Sequence, residues 1–268
     1  MKIAVTTDTH LGASQNTIKI HEKFLERLAA EEFDLMVHTG DIASHKQQQL
    51  YRSLQMFRQA IGDRPFLFVL GNHDLWDKDS WGMKNKKWNK KTSYESMKAT
   101  QREWFEEHKV HYLQDEEFVW KDEVTFYGYD GWYKNLPPPS NDKYWMPPVA
   151  KLCPIDQYLN YRATKTLDAI LATASGVKRA NPNMKLVCAT HHSLTPYRGY
   201  GSAREDTMSG NFSHLDFLSE DFDLVLNGHS HQEVDHTHEY VYGNTVHSCR
   251  IVNVGSDYDK PKYRILEI

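Results

Sequence analysis

The chain opens Met1-Lys2-Ile3-Ala4-Val5-Thr6-Thr7-Asp8-Thr9-His10, an apolar stretch that runs straight into an Asp-x-His triplet. A short apolar run rich in β-branched residues and bounded by polar residues reads as a buried strand. The pattern recurs. Leu35–His38 ends at Gly40-Asp41, Phe66–Leu70 at Gly71-Asn72-His73-Asp74, Leu186–Ala189 at His191-His192, and Leu224–Leu226 at Gly228-His229-Ser230-His231. Val124–Tyr127 ends near Gly128 and Ile251–Val254 at Gly255.

Helical periodicity separates the early strands. Leu50, Leu54, Phe57 and Ile61 share one face of an amphipathic helix, and Ile18, Leu25 and Leu28 predict another within 16–32. Leu159, Leu167, Ile170 and Leu171 predict a third over Tyr158–Ala174. Strands alternating with helices define an α/β chain. From Glu233 to Ile268 the pattern is strand-like without a helix, which predicts added antiparallel strands.

With 268 residues, 40% hydrophobic and 25% charged, the chain is long enough to bury a core without a disulfide or metal. The longest apolar run, Phe66–Leu70, is five residues, against about 20 for a membrane-spanning helix, so no membrane partner is expected. The N-terminus lacks a secretory apolar region. A net charge of −4 excludes coating nucleic acid by bulk charge. Cys153, Cys188 and Cys249 form no metal-binding spacing, and their odd number argues against a disulfide framework, so a cytoplasmic location is expected. No linker divides the chain. The expectation is a single domain over 1–268 with a Trp-, Lys- and Pro-rich insertion at about 76–155, which holds all seven tryptophans.

Five polar clusters follow five predicted strands: Asp8-Thr9-His10, Gly40-Asp41, Gly71-Asn72-His73-Asp74, His191-His192 and Gly228-His229-Ser230-His231. In α/β sheets, sites gather at the carboxyl ends of strands, so clusters more than 220 residues apart are expected to converge. Carboxylate, imidazole and amide oxygen together suit manganese, iron or zinc. Seven such ligands suffice for two ions if one carboxylate bridges, the arrangement that clamps an in-line displacement at phosphorus.

The ordered set resembles the calcineurin-like metallophosphoesterase family, whose pattern is Asp-x-His, Gly-Asp, Gly-Asn-His-Asp/Glu, His and Gly-His-x-His. The resemblance implies a two-sheet α-β-β-α sandwich with the metal site at the carboxyl ends of strands. It implies two divalent ions, Mn²⁺ by preference, with Fe or Zn²⁺ as the other choices. Asp8, His10 and His231 would hold the first ion, Asn72, His191 and His229 the second, and Asp41 would bridge them. A metal-bridging hydroxide would be the nucleophile. His73 would protonate the leaving oxygen, and Asp74 would orient His73 through a hydrogen bond. The family ligates through the first histidine of a His-His pair, hence His191 before His192.

The substrate is expected to be a small phosphoester. Ser/Thr protein phosphatases of the superfamily carry a Val-Asp-Arg-Gly-type block after Gly-Asp, and Glu in place of Asp74. Here Ile42-Ala43-Ser44-His45 follows Asp41, which points to the phosphodiesterase-like branch and a nucleotide-like or other small diester. His45, Trp88, Arg198, Tyr200 and Arg204 are the substrate-binding candidates. Five lysines with Trp88 in Lys84–Lys91 raise a single-stranded nucleic acid as an alternative substrate. A phosphomonoesterase and a non-catalytic scaffold are the other readings, the scaffold disfavoured because no ligand is missing. His38 reads as a core histidine, and His236 and His238 as decoration of a hairpin. Nothing in the sequence sets the oligomeric state.

Overall fold

The computed structural model describes residues 1–12, 15–78, 81–82, 87–88, 93–133, 146–149, 155–195 and 213–268. Two sheets form its centre. The first has the order β13-β1-β2-β3-β6, from Tyr263–Glu267, Lys2–Thr6, Leu35–His38, Phe66–Phe68 and Val110–Tyr112. The second has the order β11-β12-β10-β9-β8-β7, from Glu233–Tyr242, Thr245–Val254, Leu224–Asn227, Lys185–Thr190, Val124–Tyr129 and Phe118–Trp120. A small antiparallel pair joins β4 (Trp81–Gly82) to β5 (Lys87–Trp88). The helices are α1 (Gln15–Ala29), α2 (Gln47–Ile61), α3 (Tyr94–Glu107), α4 (Ile155–Ala180) and α5 (Ser213–Asp221).

Strand alternation builds the layers. In β1, Ile3 and Val5 join Val37, Leu67, Phe126, Val187, Leu226 and Val252 in one apolar layer shared by strands of both sheets. Ala4 turns the other way, into the cluster containing Phe24 and Leu28 of α1 and Leu54 and Phe57 of α2. Leu167 and Ile170 of α4 and Leu218 of α5 meet Tyr127, Cys188 and Val225 of the second sheet in the same cluster. This is the expected helix–sheet–sheet–helix sandwich. β1, β2, β3 and β6 run parallel to one another, as do β8, β9, β10 and β12. β13 pairs antiparallel to β1 and β11 antiparallel to β12, the antiparallel additions expected after Glu233.

The 76–155 stretch supplies body as well as decoration, because β6, β7 and β8 within it belong to the two sheets. Helix α3 escaped the periodicity reading because its inward face carries polar residues. Lys98 and Gln101 are buried among Tyr94, Met97 and Phe105. A reciprocal cap between Ser93 and Ser96 starts it, with Ser where Glu or Gln is usual. No helix among the described residues is long and apolar enough to cross a membrane.

Candidate metal centre

Five strand ends bring their clusters together: Asp8 and His10 follow β1, Asp41 follows β2, Asn72 and His73 follow β3, His191 follows β9, and His229 and His231 follow β10. The turns are tight. Asp8, His10, Asp41, His229 and His231 all have positive φ, between 44° and 66°. Side-chain residues hold that conformation only where the surroundings over-determine it, and such positions gather at functional sites. Two glycines permit the close approach. A Cβ at Gly71 would collide with the Asp41 carboxylate, and one at Gly228 with the Thr7 hydroxyl.

Three groups of side chains could each hold a cation: Asp8, His10 and His231; His10, Asp41 and His73; and Asp41, His191 and His229. They share members, so they form one continuous centre. His10 Nε2 lies 3.3 Å from His231 Nε2, and His231 Nε2 lies 3.6 Å from Asp8 Oδ1. Asp41 Oδ2 lies 3.7 Å from His10 Nε2, 3.5 Å from His191 Nε2 and 4.0 Å from His73 Nε2. His191 Nε2 also lies 3.1 Å from Asn72 Oδ1 and 3.2 Å from His229 Nδ1.

The donor set fits cations. Imidazole nitrogens face one another, and Asp8 Oδ1 is buried without a hydrogen-bond partner. An acceptor in that position is costly unless a cation serves it. Burial drives the pKa values of His10 and His229 well below the ordinary imidazole range, leaving the neutral form that ligates. Burial also raises the Asp8 carboxyl. For Asp41 burial acts upward, but His191, His73 and His10 together hold it well below the usual carboxylate range. His191 shows the converse: burial acts downward, yet Asp41 and Asp8 lift it to about 10.

Each described candidate can be placed. Asp8, His10, Asp41, Asn72, His191, His229 and His231 lie together in one place. His192 is turned against Trp132 and Tyr133, with ring centroids at 5.2 and 4.5 Å, and is absent from the three groups. His73 reaches the centre, its side chain 11% exposed, while its Nδ1 lies 2.7 Å from the Ser44 carbonyl. Burial lowers its pKa to about 4. Asp74 does not orient His73. Its carboxylate instead accepts from the backbone N–H groups of Asp41, Gly71 and Ala43, at 2.8, 2.9 and 3.1 Å. Asp74 therefore ties the loops after β2 and β3 together. Burial, then the charge of Asp41, pushes its pKa up to about 8. His45 stands at the rim, its ring centroid 5.9 Å from that of His73 and 5.7 Å from that of Trp76. Arg198, Tyr200, Arg204 and the Trp88 side chain lie outside the described residues, as do Lys84, Lys86, Lys90 and Lys91 of the lysine segment. His38 is a buried core histidine, its Nε2 3.2 Å from the Thr9 hydroxyl, and His238 pairs with Asp216 at 2.9 Å on β11.

Sequence reading missed several groups that shape the centre. Trp76 stacks on His73 at a centroid distance of 3.6 Å, and Tyr258 stacks on His10 at 4.1 Å. Asp257 Oδ1 lies 3.0 Å from His231 Nδ1. The usable signal was the polar Ser256-Asp257 pair after Gly255, which repeats the strand-then-polar-turn pattern of the other clusters.

Strand-end Asp and His residues gathered between two parallel-rich sheets define a metallohydrolase of the layered α/β kind. The chain belongs to the calcineurin-like phosphoesterase family, whose family model matches residues 1–233. It is accordingly a metal-dependent phosphoesterase. The fold is similar to that of the protein TT1561 from Thermus thermophilus, with a TM-score of 0.52 and 14% identity, covering 98% of this chain and 97% of that one. It is also similar to a dimetal phosphatase from Danio rerio, with a TM-score of 0.54 and 11% identity, covering 97% and 88% respectively. No curated protein matches the sequence.

Proposed function

We propose that this protein hydrolyses a nucleotide-like or other small phosphodiester at a centre of two divalent cations, manganese by preference. Asp8, His10 and His231 would hold one cation, Asn72, His191 and His229 the other, and Asp41 both. The observation that carries the reading is the position of Asp41 Oδ2, within 3.5–3.7 Å of a nitrogen from each half, on His10 and His191. One carboxylate oxygen serving both halves is what a paired centre requires. Divalent cations bound there neutralise phosphoryl charge and bring the pKa of water toward about 7.

The chain's own groups supply the rest. His73 is held by the Ser44 carbonyl at Nδ1, which aims Nε2 into the centre. Protonated at Nε2, it donates to the leaving oxygen. An anionic diester beside it favours that protonated form. Asp74 anchors the loops carrying Asp41 and Asn72 rather than acting on a proton. Cys188 and Cys249 are free and buried, which supports a reducing compartment, the cytoplasm.

The test is to load the protein with Mn²⁺ and compare bis-p-nitrophenyl phosphate with p-nitrophenyl phosphate. A higher kcat/KM on the diester is expected. Preference for the monoester overturns the diester reading, and preferential cleavage of single-stranded DNA or RNA would make the protein a nuclease.

A further inference from the structure

We propose that Asp257 is a positioning residue for His231, and that the Asp8–His10–His231 metal position depends through it on the C-terminal turn at 255–262. The inference rests on the reading of those three residues as metal ligands. The turn lies beyond residue 233, where the match to the family ends.

Three imidazoles of the centre are oriented from behind, in two ways. His191 Nδ1 lies 2.8 Å from the Thr39 carbonyl and His73 Nδ1 lies 2.7 Å from the Ser44 carbonyl. A carbonyl only accepts, so each ring carries a proton on Nδ1 and presents Nε2 to the centre. His231 has the same tautomer imposed by a different kind of group. Its Nδ1 lies 3.0 Å from the Asp257 carboxylate, and its Nε2 is left facing His10 and Asp8. A carboxylate behind a metal-ligating imidazole also raises the basicity of the ring, which a carbonyl does less well.

The turn is built to hold that contact. Asp257 and Lys260 exchange backbone hydrogen bonds at 3.3 and 2.9 Å, and Asp257 Oδ1 also accepts from Tyr258 N at 2.8 Å. Thr6 Oγ1 donates to the Lys262 carbonyl at 2.8 Å, tying the turn to β1 just before Asp8. Tyr258 lies nearly parallel on His10, with 11° between planes, so the turn reaches both histidines of this metal position. Asn253, at the end of β12, donates to the Gly228 carbonyl at 2.9 Å and to Ser230 Oγ at 3.1 Å. The loop that carries His229 and His231 is thus braced from β12 and the turn after it.

The experiment titrates the metal-stripped full-length protein with Mn²⁺ by calorimetry, comparing wild type with Asp257→Ala, Asp257→Asn and Asp257→Glu. Wild type is expected to take two ions. Asp257→Ala should bind one of them about 10- to 100-fold more weakly and the other unchanged. Asp257→Asn keeps an acceptor for both His231 and Tyr258 N–H, so it isolates the charge and should lose less. Asp257→Glu should recover part of the affinity. Co²⁺ substitution should show an altered visible band for one site alone, and the metal-free variants should melt like wild type. Unchanged affinity for both ions in Asp257→Ala and Asp257→Asn overturns the inference by itself. Uptake of fewer than two ions by the wild type overturns it together with the reading on which it rests. A monoester preference with an Asp257-dependent ion would defeat the substrate reading and leave this inference standing.

Discussion

The two halves of the centre are held by different materials. The contacts of His191 with Thr39, Asn72 and His229 are all buried, and the group behind His191 is backbone, the Thr39 carbonyl. Around His231 the orienting group is a side chain, Asp257, whose own side chain is 51% exposed, and His231 is itself 23% exposed. Backbone carbonyls follow from the strand geometry and survive most substitutions. A carboxylate on a surface turn can be replaced singly, so the first half can be tuned without dismantling the fold. Asp41 belongs to both halves, and Asp74 ties its loop to the loop that carries Asn72.

The sharpest break is therefore Asp41→Asn. Both halves should weaken together, with turnover down at least about 10³-fold, corresponding to several kcal/mol of transition-state stabilisation. Steady-state kinetics and bound-metal analysis check this, and retention of two ions with near-normal turnover would dissolve the claim of a shared ligand. His73→Ala should separate chemistry from metal binding. It is expected to lower kcat about 10²–10⁴-fold while two ions remain bound, as elemental analysis of the purified variant would show.

Asp74→Ala acts on stability. It orphans three buried backbone N–H groups, and at about 1 kcal/mol or more each the expected loss is ~3 kcal/mol in urea unfolding. The damage should reach both halves through Asp41, in contrast to Asp257, whose loss should touch one.

The smallest effect lies away from the centre. Lys98 donates to the Tyr112 hydroxyl at 2.7 Å in a buried position, and burial lowers its pKa from 10.5 to about 8. Between those values the unfolded chain holds a proton that the folded chain has released, so stability rises with pH. The destabilisation is complete below about pH 8 and is relieved as pH increases, by about 2 kcal/mol up to pH 10. Lys98→Met should remove that slope in denaturation measured across pH 8–10, without changing metal uptake.

Much of the centre was legible because each cluster is local. A short unbroken apolar strand, buried along its length, ends, and the next one to four residues carry the candidate ligands. Asp74 was placed on the right loop with the wrong partner. Residues 73–75 form a single tight helical turn, in which successive side chains diverge by about 120°, so His73 faces the centre while Asp74 turns into the protein. Helix α3 was hidden by Lys98 and Gln101, which are polar yet buried. Asp257 was out of reach for another reason: its relation to His231 spans 26 residues and the whole β11–β12 hairpin.

The sequence by itself determined the strand–helix order, the residue types of the centre and the class of chemistry they serve, since these depend on spacing along the chain. Only the tertiary structure decided which atoms meet: that Asp74 fastens loops, that Trp76 and Tyr258 stack on His73 and His10, and that a turn near the C-terminus stands behind His231. Most of those are contacts between segments far apart in the chain. They are set by how two sheets pack and which way each short turn aims its side chains, and no local pattern encodes that.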